Sequence, residues 1–379
     1  MLQLLKRVLR TKRYQFLNTI EISKDNLIHN YQYLSHLNPK VKIAPVLKSN
    51  GYGHGLLEIA QILDPLKTPF FCVDSLYEAY HLYKASIKTP ILIMGYINPE
   101  NLKVKKLPFS YALFDLELAK VIAKFQPNAG VHIFVDTGMN REGVKTDDLP
   151  QFLQQLKKIP NLKVEGLMSH LASAENPNDQ ITKLQIKNFQ KAQEITRKFN
   201  FNLKWKHLLA SKAVCQAKNY SSMEKYSNLV RVGMAIYGID PLGITEDLKP
   251  ILELTSHICQ IKKIKKGASV GYGGTFKAKE DFTAGILPIG YNDGVDRRLS
   301  NQGFVTINNI PCPIIGKVSM NITTVDLSAV QHPSIDQVVT VYSNNPKDPN
   351  SIQNAAKVCQ TIPYELLVKL SSSTKRVVV

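Results

Sequence analysis

The stretch that decides the fold is Ile43-Ala-Pro-Val-Leu-Lys48-Ser-Asn-Gly-Tyr52-Gly-His-Gly55. The apolar run before Lys48 is typical of a buried parallel strand, and the glycines after it allow tight turns and close backbone approach. Lys48 therefore stands at the carboxyl end of a strand, where α/β barrels place their chemistry. Burial there would lower the pKa of its ammonium group and free an amine nucleophile. The alternative is a lysine that only ends the strand and extends its charge into water.

Similar apolar runs recur along the chain and alternate with helical patterns such as 75–86, 116–125 and 179–200. Alternation of strands and helices on this scale indicates a parallel sheet, and eight repeats predict a closed (β/α)8 barrel of the TIM type. The eight candidate strands are 42–48, 70–74, 91–95, 111–114, 131–136, 164–170, 206–210 and 231–238.

The sequence pattern changes near residue 243. Beyond it, the alternation of strands and helices gives way to short β-branched runs that are broken by glycine and proline. We therefore predict a barrel over residues 16–243 and a mainly-β C-terminal domain over 244–379, preceded by a basic extension, 1–15, that is expected to fray. The candidate strands of the second domain are 252–264, 283–287, 304–307, 312–318 and 337–342.

The composition of the chain indicates which binding partners and which cellular compartment to expect. The formal charge is +18, which raises the question of nucleic-acid binding. Apart from a cluster at 262–266 the lysines are dispersed along the chain, and this dispersion disfavours a specific nucleic-acid role. Five cysteines without a C-x-x-C pair argue against a disulfide framework or a metal site and for a reducing compartment. No signal peptide and no membrane-spanning run are recognisable, so we expect a cytoplasmic protein without a membrane partner.

The run V-L-K-S-N-G-Y-G-H-G closely resembles the pyridoxal-phosphate attachment site of alanine racemases. This resemblance implies that Lys48 binds pyridoxal 5'-phosphate covalently as a Schiff base and that Tyr52 contacts the phosphate group. It also implies that the protein is an isomerase and that its fold has a barrel and a second, β-rich domain.

Further barrel motifs match the same family. In D-T-G-M-N-R, the resemblance places Arg141 beside the cofactor's phenolic oxygen and the substrate carboxylate, a planar group that suits a guanidinium. In G-L-M-S-H, it gives His170 a supporting role near the base. Taken alone, the first motif is a capped turn with a surface arginine, and the second ends on a structural histidine.

Two neighbouring segments, H-L-L-A-S and N-L-V-R-V-G-M, match the family's phosphate and ring contacts. Ser211 and the backbone amides of Gly233 and Met234 would bind the phosphate, as in other backbone anion sites. Arg231 would face the pyridine nitrogen. Because arginine stays protonated, it cannot give that nitrogen a full proton, which weakens the ring as an electron sink and favours racemisation over transamination. The alternative is a buried arginine paired with an unidentified carboxylate.

The motif V-G-Y-G in the second domain implies that Tyr272 is the second catalytic base and reaches the active site of a partner subunit. Racemisation needs a base on each face of Cα, here Lys48 and Tyr272, so the resemblance implies a homodimer with shared sites. A chain Tyr272–His170–Arg231 would lower the pKa of the phenol.

The remaining matches lie nearer the C-terminus. By resemblance, Tyr291 in I-G-Y-N-D-G lines the substrate entrance, the amide of Met320 in G-K-V-S-M-N binds the substrate carboxylate, and the hydroxyl of Tyr364 in Y-E-L reaches the phosphate. Motifs in the family's order thus cover nearly the whole chain.

Three positions depart from the family pattern. Phe134 stands where many members have a carbamylated lysine bonded to the arginine matched by Arg141, so a bound anion or Asn140 is expected to position that arginine. Asn321 replaces the aspartate usual in alanine-selective members and could admit a more polar substrate. Lys317 replaces the usual arginine.

The resemblance therefore predicts an alanine racemase that supplies D-alanine for bacterial peptidoglycan. Asn321 keeps open a serine or broad-specificity racemase. A non-catalytic barrel that binds pyridoxal phosphate is the alternative from another class, although such proteins generally lack a second domain. A barrel-type decarboxylase is disfavoured by the G-Y-G-H-G loop and by Arg231.

Overall fold

The structure is a computed structural model that describes residues 16–216, 223–240, 242–243 and 245–379. Its contacts divide the chain into two compact units: Ile22–Leu252 with Val378–Val379, and Glu253–Val377 with the described residues up to Glu21. The basic extension at residues 1–15 lies outside the described residues, as do residues 241 and 244 beside the expected domain boundary.

The described chain begins with β1 (Thr19–Ile22), and the strands of the first unit follow. These are β2 (Lys42–Pro45), β3 (Phe71–Val73), β4 (Ile91–Ile93), β5 (Phe109–Leu113), β6 (Ala129–Asp136), β7 (Val144–Lys145), β8 (Leu162–Met168), β9 (Trp205–His207) and β10 (Leu229–Val232).

Eight of these strands close a barrel. A parallel ladder runs in the order β3-β4-β5-β6-β8-β9, and β2 pairs in parallel with β10. Single parallel bridges, Val46 to Cys72 and Ala210 to Arg231, join the two sets at both edges. The short strand β7 pairs with β6 outside this ring. The predicted (β/α)8 barrel is therefore confirmed.

The eighth predicted strand, 231–238, is wrong in its bounds. The strand is Leu229–Val232, and a 3-10 helix, Met234–Tyr237, begins after Gly233. The reason is a change of hydrogen-bond partner, because the N–H of Gly233 donates to the hydroxyl of Ser211 at 3.0 Å instead of to a neighbouring strand.

The helices of the first unit cover the barrel. Ser23 caps the first of them by accepting the N–H of Asn26 on its side chain. Their bounds are α1 (Lys24–Leu37), α2 (Leu56–Leu63), α3 (Leu76–Lys84), α4 (Pro99–Leu102), α5 (Leu116–Phe125), α6 (Leu149–Leu156), α7 (Gln180–Lys198) and α8 (Ser211–Cys215), with 3-10 turns at Asp64–Leu66 and Met223–Lys225.

The second unit is mainly β, as predicted. Its sheets run β17-β16-β19-β11-β1-β20 and β12-β15-β18, and β13 and β14 form a hairpin. Its elements are β11 (Leu252–His257), β12 (Gln260–Ile264), β13 (Ser269–Val270), β14 (Phe276–Lys277), β15 (Phe282–Leu287), β16 (Phe304–Ile307), β17 (Ile310–Pro313), β18 (Thr323–Asp326), β19 (Val338–Tyr342), α9 (Ile352–Val358), α10 (Pro363–Val368) and β20 (Lys375–Val378), with 3-10 turns at Tyr272–Gly274 and Arg297–Leu299.

The single strand predicted at 252–264 is two strands, β11 and β12, in different sheets. The chain changes sheet between them because the N–H of Ile258 donates to Gln337 and the N–H of Cys259 donates to Ile286. None of the helices in the described ranges combines the length and apolar character needed to cross a bilayer.

Candidate active site

Lys48 lies just beyond the carboxyl end of β2, at the start of an unusual turn. The backbone of Ser49, Asn50 and Tyr52 is left-handed, with φ of 56°, 55° and 51°. Residues other than glycine rarely adopt this conformation, which costs them roughly 1–2 kcal/mol each. Strain of this kind persists only where the surroundings enforce it, and it concentrates at functional sites.

The carboxylate of Glu78, which is buried at the start of α3, holds this turn. One of its oxygens accepts the N–H of Asn50 at 3.1 Å, and the other accepts the N–H of Asp74 at 3.0 Å. Glu78 thus joins the loops that follow β2 and β3. The sequence reasoning missed this residue, although Ser75 and Glu78 form an S-x-x-E capping signal in which Ser75 accepts the N–H of Glu78.

The side chain of Lys48 is more exposed to solvent than the sequence predicts. Its side chain keeps 38% of its exposure, and its Nζ lies 3.7 Å from a carboxylate oxygen of Asp74. The predicted burial of this amine is therefore not found in the described chain. Its position at the barrel end is as predicted.

Four predicted phosphate-binding residues lie together around the end of β10. The hydroxyl of Ser211 accepts the N–H of Gly233 at 3.0 Å. The hydroxyl of Tyr52 also lies close to Gly233. A Cβ atom at position 233 would be 2.7 Å from that hydroxyl, so only glycine lets the tyrosine approach the backbone here. Met234 is buried and follows directly. Hydroxyls and backbone amides gathered in this way suit a phosphate group.

Arg231 is buried on β10 and is held by acceptors on neighbouring strands. One terminal nitrogen donates to Nδ1 of His207 at 2.8 Å and to its carbonyl at 2.6 Å, and the other donates to the carbonyl of Ser169 at 2.6 Å. Burial lowers the pKa of Arg231 to about 10, so it remains charged at neutral pH. No carboxylate of the described residues pairs with it, which removes the alternative of a buried ion pair.

Histidines surround this guanidinium. His170, as predicted, lies near it, with Nδ1 3.4 Å from Arg231, while Nδ1 of His132 lies 2.7 Å from Nε2 of His207. Burial, reinforced by the charge of Arg231, lowers the pKa of His170 and of His132 to about 3. These imidazoles are therefore neutral. His132 and His207 were not predicted, although both are polar residues within apolar strands.

Arg141 follows a turn that Asp136 caps, since one carboxylate oxygen accepts the N–H groups of residues 138–140. The arginine side chain is exposed, and its Nε pairs with the carboxylate of Glu142. The Nε contact of Arg141 is made by Glu142 and not by Asn140, whereas positioning by a bound anion stays a prediction. The sequence signal was present, since Glu142 is the next residue.

Phe134, at the position of the family's carbamylated lysine, is buried against Ala112 and Met168 inside the barrel. Its ring supplies no polar contact. Support for the nearby loops comes instead from Gln185 of α7, whose amide donates to the carbonyl of His170 at 2.9 Å and accepts the N–H of Ala172 at 2.8 Å.

In the second unit, Tyr272 lies between β13 and β14, and the residue is 71% exposed. Tyr272, Tyr291 and Met320 line one groove of about 700 Å³. The loops of the last two are joined, because the N–H of Tyr291 donates to the carbonyl of Ser319 at 3.0 Å. The structure therefore brings these predicted residues together.

Two other predicted residues also belong to this unit. Asn321 is exposed next to Met320, and Tyr364 is half-buried in α10.

The barrel end thus gathers an amine, a cluster of phosphate-type donors and a buried guanidinium without a carboxylate partner in the described chain. This donor set fits a phosphorylated aldehyde that carries a ring nitrogen. Lys48 would hold the aldehyde carbon, the Ser211–Gly233 cluster the phosphate, and Arg231 the ring nitrogen.

Comparison with known proteins agrees with this fit. Residues 22–241 match the family described as alanine racemase, N-terminal domain, and residues 251–378 match alanine racemase, C-terminal domain. The alanine racemase of Lactobacillus acidophilus is 33% identical over 361 residues, which cover 91% of this chain and 92% of that protein.

Solved structures show the same fold. The alanine racemase of Bacillus anthracis with bound L-Ala-P has a TM-score of 0.87 and 26% identity, covering 97% of this chain and 96% of that one. The alanine racemase of Bartonella henselae with covalently bound pyridoxal phosphate has a TM-score of 0.83 and 24% identity, covering 96% of this chain and 100% of that one.

Proposed function

The chain belongs to the alanine racemase family, whose members are pyridoxal-phosphate enzymes that interconvert L- and D-alanine, and on this basis we propose roles for its own side chains. The cofactor, when bound, holds the amino acid covalently and withdraws electrons from its Cα–H bond. The remaining tasks are to orient the cofactor and substrate and to move one proton between the two faces of Cα.

Lys48 is the residue that holds the cofactor and the base on one face of Cα. The observation that carries this role is the position of its amine at the barrel end that also bears the Tyr52–Ser211–Gly233 cluster and Arg231. Binding the phosphate and the ring nitrogen at separate points would leave the cofactor little rotational freedom. Such orientation is a large part of catalysis.

Arg231 would donate a hydrogen bond to the ring nitrogen of the cofactor without transferring its proton. The supporting observation is a guanidinium that stays charged at neutral pH, with a pKa of about 10, and is held by carbonyl and imidazole acceptors. Held by Arg231 in this way, the cofactor would be a weaker electron sink, which would favour return of the proton to Cα over transamination.

Tyr272 of the partner subunit is the base on the opposite face, and the enzyme is a homodimer. The support is the exposure of Tyr272 at a hairpin, together with the need of racemisation for two bases that flank Cα. His170, neutral and 3.4 Å from Arg231, is placed to accept a hydrogen bond in a chain that ends at the phenol.

The substrate carboxylate binds Arg141 and the backbone amide of Met320. Glu142 occupies the Nε of Arg141, and the terminal nitrogens remain to bind a planar carboxylate. Tyr291 lines the entrance, a role supported by its place beside Met320 in the groove of about 700 Å³. On the family pattern of Y-E-L, the hydroxyl of Tyr364 would also bind the phosphate.

A complementation experiment tests the shared site. Lys48→Ala and Tyr272→Phe homodimers should each lose racemase activity by roughly 10²–10⁴-fold, the range typical of a lost acid–base group. Mixed dimers would have one intact site, so a statistical mixture should regain about one quarter of wild-type activity. If the mixture stays inactive while both variants dimerise and bind cofactor, Tyr272 does not act across the dimer.

Asn321 favours a second candidate substrate. Its exposed amide lies next to Met320, where the family's alanine-selective members usually have aspartate. An amide can bond a hydroxyl without the charge of aspartate, so serine is the substrate to compare with alanine. Serine turnover at a small fraction of that of alanine, and unchanged in Asn321→Asp, would remove this candidate.

The physiological setting is also a proposal. All five cysteines are free thiols, which supports a reducing compartment such as the cytoplasm. There the enzyme would supply D-alanine for peptidoglycan.

A further inference from the structure

Three buried polar side chains form a line inside the barrel: His132 on β6, His207 on β9 and Arg231 on β10. Nδ1 of His132 lies 2.7 Å from Nε2 of His207, and Nδ1 of His207 lies 2.8 Å from a terminal nitrogen of Arg231. The exposed fractions are 1%, 0% and 5%, so water has little access to this line.

The direction of these hydrogen bonds follows from chemistry. Arginine can only donate, so Nδ1 of His207 must accept. The proton of neutral His207 is then on Nε2, and this N–H donates to Nδ1 of His132. His132 must therefore carry its own proton on Nε2. Burial keeps both pKa values well below 6.5, which agrees with two neutral rings.

The intervening strand is shaped to allow this line. Strand β8 lies between β6 and β9, and its Gly166 pairs with His132. A Cβ atom at position 166 would lie 2.3 Å from Nδ1 of His132, so only glycine lets the ring cross the strand. The ring of Phe70 packs against His132 from another side, with centroids 5.4 Å apart.

We propose that His132 is a positioning residue for the racemase reaction. Its Nδ1 lone pair holds His207 in the tautomer that accepts from Arg231, and this fixes the orientation of the guanidinium toward the cofactor. The inference rests on the proposed role of Arg231. Without an acceptor at position 132, His207 has a buried N–H without a partner. In the other tautomer of His207, the proton is on Nδ1 and points at Arg231. The guanidinium group has only N–H donors, so two donors would face each other without an acceptor.

Two variants separate the acceptor from the bulk of the ring. His132→Asn keeps an acceptor oxygen close to the place of Nδ1, and His132→Leu keeps similar volume without an acceptor. We expect His132→Leu to lower kcat about tenfold, the low end for partners that orient a functional group, with KM for alanine nearly unchanged. His132→Asn should restore most of the loss. The fraction of cofactor converted to its amine form per turnover should rise in His132→Leu only.

A second readout does not depend on activity. Labelling the holoenzyme with 15N-histidine limits the NMR spectrum to nine imidazoles, and His132→Asn and His207→Asn assign two of them. We expect both wild-type rings to be neutral with the proton on Nε2, and the His207 signal to move in His132→Leu. The tautomers are read on the wild-type enzyme, so this readout stands even if His132→Leu does not fold.

The outcomes separate this inference from the proposed function. A wild-type His207 with its proton on Nδ1, or equal activity of His132→Leu and wild type, would overturn the inference while racemisation stands. A wild-type holoenzyme that does not racemise alanine would overturn the proposed function, and the tautomers would still report on the hydrogen-bonded line.

Discussion

The carboxylate of Glu78 bonds the backbone of Asn50, with Oε1 3.1 Å from a nitrogen whose residue has a φ of 55°. The two residues are 28 positions apart in the chain. The second oxygen of Glu78 accepts the N–H of Asp74, which also pairs with Lys48. One buried anion therefore supports both the strained turn after the proposed cofactor lysine and that lysine's ion partner.

Glu78→Gln should therefore destabilise the protein and reduce activity. Glutamine offers one acceptor oxygen and turns an N–H group toward the other backbone N–H, so we expect a loss of roughly 1–3 kcal/mol in the free energy of unfolding. Denaturant unfolding and kcat for alanine check this. The exposed Glu117→Gln serves as a matched control, and equal effects of the two substitutions would contradict the role of Glu78.

Gly233→Ala should weaken cofactor binding. The added methyl group would lie 2.7 Å from the hydroxyl of Tyr52, so one of them must move and the proposed phosphate site opens. We expect the Kd for pyridoxal phosphate to rise about tenfold, equivalent to one lost hydrogen bond of about 1.4 kcal/mol. Fluorescence titration of the apoenzyme measures this.

The double variant Tyr52→Phe, Gly233→Ala tests the cause. Removing the hydroxyl relieves the clash, so the two changes should cost less together than the sum of their separate effects. Strict additivity would show that Gly233 acts through some other contact.

Glu142→Gln should raise KM for alanine modestly. The carboxylate of Glu142 pairs with Nε of Arg141, and without it the exposed arginine side chain is free to adopt other rotamers. An exposed pair contributes only about 0.2–1 kcal/mol, so the expected change in KM is about 1.4- to fivefold. Steady-state kinetics check it against the surface control Glu194→Gln. An unchanged KM would mean that Arg141 is positioned without Glu142.

Stability should fall as the pH is lowered below about 6.5, the ordinary pKa of histidine. His132 and His170 have folded-state pKa values of about 3, so between these limits the unfolded chain binds protons that the folded chain does not. The free energy of unfolding then decreases toward acid, by up to roughly 1.4 kcal/mol per pH unit for each such histidine, and is flat above about pH 7.

Denaturant titrations of the holoenzyme between about pH 5 and 7.5 measure this slope while carboxylates remain ionised. His132→Asn should reduce the slope relative to the wild-type protein. A slope that His132→Asn does not alter would show that His132 takes up a proton in the folded protein.

Much of the fold could be predicted because its signals are local. The apolar runs that end at Lys48, Asp136 and His170 mark strands wherever they pack, and Ser23 caps its helix through a residue only three positions away. The errors concern places where a strand ends. The strand before Gly233 stops where its N–H finds Ser211, and the run 252–264 divides where successive N–H groups find partners in different sheets.

The sequence by itself determined the chemical groups of the proposed site, since Lys48, Arg231 and Tyr272 stand in motifs that can be recognised one at a time. Only the tertiary structure decided what holds them. His132 and His207 are 75 residues apart, and Glu78 meets Asn50 only because β2 and β3 become neighbours in the closed barrel. Such contacts depend on which strands are adjacent, which no single segment of the chain encodes. They also depend on close packing at Gly166, where the absence of a side chain matters only once the histidine lies beside it.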